Sequence, residues 1–451
     1  MNLKLRLILM NFLQFFVWGS WLITIGAYWF HTKEWSGADF GAIFSTMGIA
    51  SLFMPAIAGI IADRWINAER LLGIFHILGA IVLFLLPQVG NPDLFFWAML
   101  INMVFYMPTI ALSITVSYSS MKSKGMDIIK DYPPVRVFGT IGFIVALWVI
   151  SLTGLEKSEF QFYVAAGAAL FLGLYSFTLP QCKPEGRNTG KSFVSALGLN
   201  AFALFKKTKM ALFFIFAMLL GASLQLTNAY GDTFIHDFAN MQEYAVFKDL
   251  WESDFMLDLA GISGFGESLS YIFSYDGLIT MLVLKFPAII MSISQISETL
   301  FILTIPFFLR KFGIKKVMLF SMIAWVLRFG LFAYGDPAGG LWMIILSCII
   351  YGMAFDFFNI SGSLFVETQS DPSIRASAQG LFMMMTNGVG AFLGSYISGV
   401  VIDAFFLNPD GSKQWQGIWL AFAIYSLIVA VLFALLFRHK HDPKAVENIR
   451  H

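Results

Sequence analysis

The sequence predicts an all-α integral membrane protein, with twelve transmembrane helices arranged as two six-helix halves. Three observations carry that expectation. Of 451 residues, 58% are hydrophobic and only 13% charged, which is more apolar surface than a water-soluble fold could bury. About twelve separate runs approach the roughly 20 apolar residues that a helix needs to cross about 30 Å of hydrocarbon. The basic residues are confined almost entirely to alternate loops between those runs. Aromatic content of 17%, with 49 Phe and 12 Trp, and a mean hydropathy of +0.74 suit a chain whose outer face meets lipid.

The spans follow in order. The first, 7–29, comes after Lys4 and Arg6; it is too long for a signal-peptide core, no small-residue cleavage site follows it, and it is expected to stay in the mature protein. Runs at 40–61 and 71–88 are divided by the charged string GIIADRWINAER, and runs at 95–119, 134–154 and 160–180 complete a first bundle over 1–180. A basic loop, 181–209, links it to a second bundle, 210–437, with spans at 210–233, 286–309, 316–334, 341–366, 376–404 and 416–437 and a polar tail at 438–451. In this second half the string FFLRKFGIKK again follows the second span, so the halves read as an internal repeat. Asp63 and Arg64 in one string, and Arg310 and Lys311 in the other, are candidate gating residues, with topological retention as the equal alternative.

Charge distribution sets the expected orientation. With both termini cytoplasmic, the inner loops, linker and tail hold 22 of the 29 Lys and Arg, the outer loops hold five, and Arg136 and Arg328 remain inside spans. The excess of Lys and Arg places both ends inside. A net charge of +1 gives no field to attract nucleic acid. Cys182 and Cys348 sit in a loop and a span and read as plain thiols, not a disulfide or metal pair. The segment 236–285 is a long acidic external insertion with Asp237, Glu243, Asp249, Glu252, Asp254, Asp258, Glu267 and Asp276 against Lys248. Trp251, Phe255, Leu257 and Tyr271 could pack it as a cap, but it has no calcium-loop spacing and is expected to be a solvated decoration.

An ionisable side chain at the bilayer centre costs at least about 2.5 to 3.5 kcal/mol on insertion scales, so each marks a functional candidate. Arg136, Thr140 and Phe143 share one helical face at i, i+4 and i+7. Gln225 and Asn228 lie one turn apart, as do Gln295 and Glu298, and Asp356 and Asn359 beside Phe355 and Tyr351. Amides present a donor and an acceptor in one plane, and aromatic rings present stacking faces. Together they suit a neutral, hydroxyl-rich molecule with an aromatic part. Asn11, Gln14, Asn102 and Asn387 are as readily explained by helix–helix hydrogen bonding. Arg328 is expected to pair or to snorkel, and His76 to cap an interhelical contact.

Two six-span halves of this kind resemble the major facilitator superfamily, whose halves rock about a site near the bilayer midplane. The segments MNLKLRLILMNFLQFFVWGSW, DYPPVRVFGTIGFI, MSISQISETLFILTIPFF, YGMAFDFFNISGSLFVE and IRASAQGLFMMMTNG resemble the bacterial nucleoside:proton symporters, through both halves. That resemblance implies proton-driven uptake of purine and pyrimidine nucleosides such as uridine, adenosine and cytidine. It places Arg136, Thr140, Phe143, Gln225, Asn228, Gln295, Glu298, Phe355 and Asp356 around the nucleoside. The acidic insertion departs from the family pattern, in which this loop is short.

Enzymatic function is not expected, because six scattered His and two separated Cys offer neither a nucleophile with its base nor a metal cluster. No cofactor is expected; a proton gradient serves as the energy source. Of Glu298 and Asp356, one is expected to carry the proton and the other to serve the substrate, with Arg136 as electrostatic counterpart. The expected setting is a monomer in the lipid bilayer of a bacterial inner membrane, without nucleic acid partners. The alternatives are a xanthosine-selective or other sugar-like permease, and a transporter-like membrane receptor.

Overall fold

A computed structural model describes residues 2–184, 199–244, 247, 275–371 and 374–439. Helices α1 (Leu3–Gly19) and α2 (Ile25–His31) form the first pass, followed by α3 (Gly37–Arg64), α4 (Ala68–Leu85), α5 (Pro92–Ser123), α6 (Ile128–Leu152) and α7 (Phe160–Ser176). The second half contains α8 (Thr208–Phe238), α9 (Tyr275–Lys285), α10 (Pro287–Tyr334), α11 (Leu341–Gln369), α12 (Arg375–Met383), a π-helical turn Met384–Gly390, α13 (Ala391–Phe405) and α14 (Trp415–Leu436). Nine of the described helices are long and apolar enough to cross a membrane. The twelve passes expected from sequence are recovered from three more features. The first pass is split at Ser20–Thr24, α7 is a shorter apolar helix, and α10 joins two passes across a break at Gly313. Gly313 adopts φ 77°, a left-handed value that glycine takes without the Cβ penalty. Large apolar side chains stand outward, Leu303 being 76% and Leu435 66% exposed, as a lipid-facing surface requires.

The N-terminus of α1 lies on the same face as the charged ends of α3, α5 and α14 and the charged break in the middle of α10, here called the basic face. At that face the described polar contacts stay within one half. Arg6 donates to the Thr178 carbonyl and Lys4 pairs with Asp131 at 3.7 Å. In the other half Lys209 reaches Gln369 at 2.9 Å and Lys315 the Ala434 carbonyl at 3.0 Å. Glu69, at the start of α4, accepts the Cys182 amide at 2.8 Å and so fixes the beginning of the linker. Both cysteines are free and buried.

The halves meet towards the opposite face. There α3 and α13 pack at backbone distance: a Cβ on Gly48 would stand 2.6 Å from both the Gly388 carbonyl oxygen and the Phe392 nitrogen, and one on Gly41 would stand 2.4 Å from the Ser395 carbonyl. Small residues permit such close approach in membranes, where hydrophobic burial does not drive helices together. Asp403 at the end of α13 accepts from the amides of Gly37 and Ala38 at 3.2 and 2.6 Å, capping α3 across the interface. Trp148 donates to Ser292 at 2.9 Å, and His31 meets Asp237 at 3.2 Å. Lys413 lies 3.7 Å from the centre of the Phe30 ring. Burial lowers the Lys413 pKa, while Asp237 and Asp403 pull it back.

The acidic insertion is shorter than the sequence suggested. Helix α8 continues to Phe238, and Asp237 belongs to it, half-buried against His31, Lys413 and Trp415. At the other end α9 is packed, with Val283 and Leu284 buried and the Thr280 hydroxyl donating to the Pro337 carbonyl at 3.2 Å. Asp249, Glu252, Asp254, Asp258, Glu267, Lys248, Trp251, Phe255, Leu257 and Tyr271 lie outside the described residues, as do Arg187, Lys191, Lys440, Lys444 and Arg450.

Candidate functional site

Between the halves, α1, α5 and α6 present an aromatic wall. Trp18 stands 5.6 Å from Tyr106 and 6.4 Å edge-on from Phe143, measured between ring centroids. The Arg136 guanidinium lies 4.1 Å above the Phe15 ring, a cation–π contact that holds the charge without requiring an acid beside it. Arg136 and Thr140 are half-buried, and Phe143 is buried. Tyr106 donates to the Gln14 carbonyl at 2.8 Å, and the Gln14 side chain bridges to Thr109 at 2.8 Å and His76 at 2.8 Å. Gln14 and His76 therefore tie helices behind the wall, as expected of them, and Asn11 does the same through Ser117 at 3.4 Å.

The facing wall comes from α8, α10 and α11. Tyr351 and Phe355 stack with ring centroids 5.9 Å apart and planes 8° from parallel. Beside them Glu298 and Asp356 interact electrostatically with each other, and Glu298 with Arg136 across the gap between the halves. The expected cross-half counterpart is therefore within electrostatic reach, but the Arg136 guanidinium itself rests on Phe15. Gln225 and Asp356 are buried, and Asn228, Gln295 and Glu298 are half-buried. Gln225 Oε1, Gln295 Oε1 and Asp356 Oδ2 are enclosed yet accept no hydrogen bond. A buried acceptor without a partner costs about 1 to 3 kcal/mol, and three of them on one wall mark a place built for polar ligand groups. A small cleft adjoins, lined by Gly221, Leu224, Trp325, Phe355, Asn359 and Asn387 among others. It connects α8 to α11 and the π-turn; such turns are frequent at functional sites.

Arg328 corrects its expectation. It is fully buried, donates to Thr227 at 3.3 Å, to the Ser347 carbonyl at 2.5 Å and to Ser294 at 3.4 Å, and lies 4.8 Å over Tyr351. It neither snorkels nor pairs with an acid among the described residues, because hydroxyls and a carbonyl on α8, α11 and the other pass of α10 satisfy it. The proposed gating residues Asp63, Arg64, Arg310 and Lys311 are exposed at the basic face, far along their helices from this site, with Lys311 over Phe307 and Phe312.

Sequence reasoning passed over Phe15, Trp18 and Tyr106, although Trp18 follows Gln14 by one turn and so shares its face. It also missed a polar stripe along α8, in which Gln225, Asn228, Asp232 and His236 recur at i, i+3, i+7 and i+11. Ending that span at 233 cut the stripe in two.

Two six-pass halves, drawn together at one face and lined between them by aromatic and unpartnered polar groups, define a polytopic membrane transporter of the major facilitator type. Residues 1–442 match the family model described as nucleoside H+ symporter, and the chain belongs to that family. It is 50% identical over 449 residues to the xanthosine permease of Escherichia coli (strain K12), covering 99% of each chain. It is 48% identical over 454 residues to the nucleoside permease NupG of the same organism, covering 100% of each. The crystal structure of the nucleoside transporter NupG superposes with a TM-score of 0.84 at 48% identity, covering 98% of this chain and 100% of that one. A POT family transporter shares the fold alone, with a TM-score of 0.64 at 12% identity over 96% of this chain and 95% of that one. The permeases among these relatives are transporters, not enzymes.

Proposed function

We infer that this protein is a proton-coupled symporter that imports purine and pyrimidine nucleosides across the bacterial inner membrane by alternating access, with both termini cytoplasmic and no cofactor beyond the proton gradient. The observation that carries the reading is the set of enclosed, unpartnered oxygens of Gln225, Gln295 and Asp356 facing an aromatic wall of Trp18, Tyr106 and Phe143. A nucleoside matches both walls: its base stacks on rings, and its base edge and sugar hydroxyls donate to amide and carboxyl oxygens. The family model's description supports nucleosides and protons as the two cargoes. Because the basic face is taken as cytoplasmic and the halves close at the opposite face, this conformation faces inward.

A second reading, selectivity for xanthosine, is favoured by the 50% identity to a xanthosine permease against 48% to a general nucleoside permease. Both readings are tested by uptake of labelled uridine into proteoliposomes under an imposed inward proton gradient, with competition by a panel of nucleosides including xanthosine, free bases and sugars. Accumulation of uridine that several nucleosides compete for supports the general symporter. Uptake confined to xanthosine moves the assignment to the selective permease, and saturable binding without accumulation to a receptor.

A further inference from the structure

At the face where the halves close, Glu156, Asp232 and His236 meet in a buried cluster outside the substrate walls. Glu156 lies in the loop between α6 and α7 of the first half, while Asp232 and His236 lie on α8 of the second. Their exposures are 3%, 0% and 5%. His236 Nε2 stands 2.6 Å from Glu156 Oε2 and 3.6 Å from Asp232 Oδ2, and one ligating atom from each residue lies within 4.8 Å of the others. Glu156 Oε1 accepts the Ala288 amide at 3.3 Å. Both oxygens of the fully buried Asp232 accept no hydrogen bond. The surroundings add His31, whose ring centroid is 5.9 Å from that of His236, and Lys157, which interacts electrostatically with Asp232. Asp237 is occupied elsewhere, by His31 and by Trp415, whose indole donates to it at 2.8 Å.

We propose that Glu156, Asp232 and His236 form a binding site for a divalent transition-metal ion of the zinc class, which clamps this face of the transporter shut. The donor set is one imidazole and two carboxylates, the borderline mixture that suits zinc; magnesium and calcium prefer oxygen alone. Asp232 and His236 stand at i and i+4 on one helix, so both project from one side of it, as paired ligands do in helical zinc motifs. Around zinc at about 2.0 to 2.2 Å from each ligand the three atoms need only modest side-chain movement, His236 and Glu156 parting and Asp232 closing in. The fourth position would take water. Two buried carboxylates facing one imidazole leave negative charge to be compensated, and a divalent cation inserts that compensation where Asp232 has no donor. Since Glu156 belongs to one half and the other ligands to the other, the complete donor set exists only while this face is closed. An ion that binds only the closed state shifts the population towards it and thereby inhibits transport.

The test uses full-length protein with its affinity tag removed, first in detergent and then in proteoliposomes. Zinc is titrated by calorimetry and thermal shift, and cobalt(II) serves as a spectroscopic probe of four-coordinate nitrogen–oxygen ligation. Expected are one zinc ion bound per chain, a raised Tm, cobalt bands in the visible, and zinc inhibition of uridine uptake reversed by a chelator. Asp232→Asn, His236→Gln and Glu156→Gln should each weaken binding at least tenfold and relieve the inhibition. Wild-type protein that gives neither a thermal shift nor cobalt bands overturns the proposal whether or not the variants fold. So does zinc binding that survives in Asp232→Asn and His236→Gln, or an equal response to magnesium. The binding measurements involve no transported substrate, so their failure is separable from failure of the nucleoside reading.

Discussion

Gln225 and Gln295 hold their amide oxygens inside the protein with nothing to accept from, a state that evolution of a rigid core would remove and that a bound nucleoside would relieve. Each hydrogen bond so formed contributes about 0.5 to 1.5 kcal/mol, equivalent to roughly two- to tenfold in affinity. Alanine at Gln225, Asn228 or Gln295 should therefore raise the apparent KM for uridine by about that factor while the amount of inserted protein holds. Unchanged KM in all three would remove the site from this wall. At this scale the sequence was legible wherever polarity interrupted an apolar run: Arg136, Gln225, Glu298 and Asp356 could be found because each stands with a polar neighbour one turn away inside an otherwise apolar span. Trp18 and Tyr106 could not, since aromatic residues are everywhere in such a chain, 17% by composition, and only packing separates a wall from lipid-facing surface. Arg328 was visible as an anomaly, but its partners Thr227 on α8, Ser294 on the other pass of α10 and Ser347 on α11 are brought together only by the fold.

Helices α3 and α13 carry the consequence at the next scale. Their contact is a line of glycines, and the side chain of Gly48→Val would enter space held by the Gly388 carbonyl and the Phe392 amide. That backbone cannot swing aside as a flexible side chain would, so the variant should resist closure of this face. The measurement is labelling of a cysteine introduced at Ser395, buried in the closed face, in a background lacking Cys182 and Cys348. Faster labelling in Gly48→Val than in its parent is expected, and equal rates would mean that the glycine line does not control closure. Span positions were readable because about 20 apolar residues have only one way to cross a bilayer. Ends were not, because α8 runs on through His236 and Asp237, polar residues whose partners Glu156 and His31 in the other half cannot be seen from one helix. That extension redefines the part of the insertion that is dispensable. Tyr244 and Phe247 on one side and α9 on the other are packed, so only 248–274 should be removable. A loop can be shortened at modest entropic cost, and replacing 248–274 with a short Gly and Ser linker should leave uridine uptake substantially intact. Abolished uptake by a correctly inserted deletion protein would assign that segment a part in capture or gating.

For the molecule as a whole, the question is how proton and nucleoside move the same two halves. Glu298 and Asp356 sit on α10 and α11 of one half and Arg136 on α6 of the other, with Glu298 and Arg136 interacting electrostatically across the gap. An attraction that spans both halves favours the state in which they are close and resists rocking. In the proposed symport cycle, protonating the carboxylate or placing a nucleoside between the walls would weaken that attraction and free the movement. Each inward proton also gains about 2.3 kcal/mol per 100 mV of membrane potential, enough to drive accumulation. The resting place of Arg136 on Phe15 fits this cycle, because a cation–π contact retains the guanidinium when its acid partner is neutral. Two acids that act on each other in this way cannot both be charged at low cost, and the proposed coupling therefore divides their duties, one to exchange the proton and the other to hold substrate. Glu298→Gln and Asp356→Asn preserve shape and remove the titrating group. The proton carrier is identified as the position whose variant loses uphill uptake but still exchanges labelled for unlabelled uridine across the membrane. If both variants concentrate uridine, and an uncoupler collapses that gradient in each, the proton is carried elsewhere and this coupling scheme is wrong.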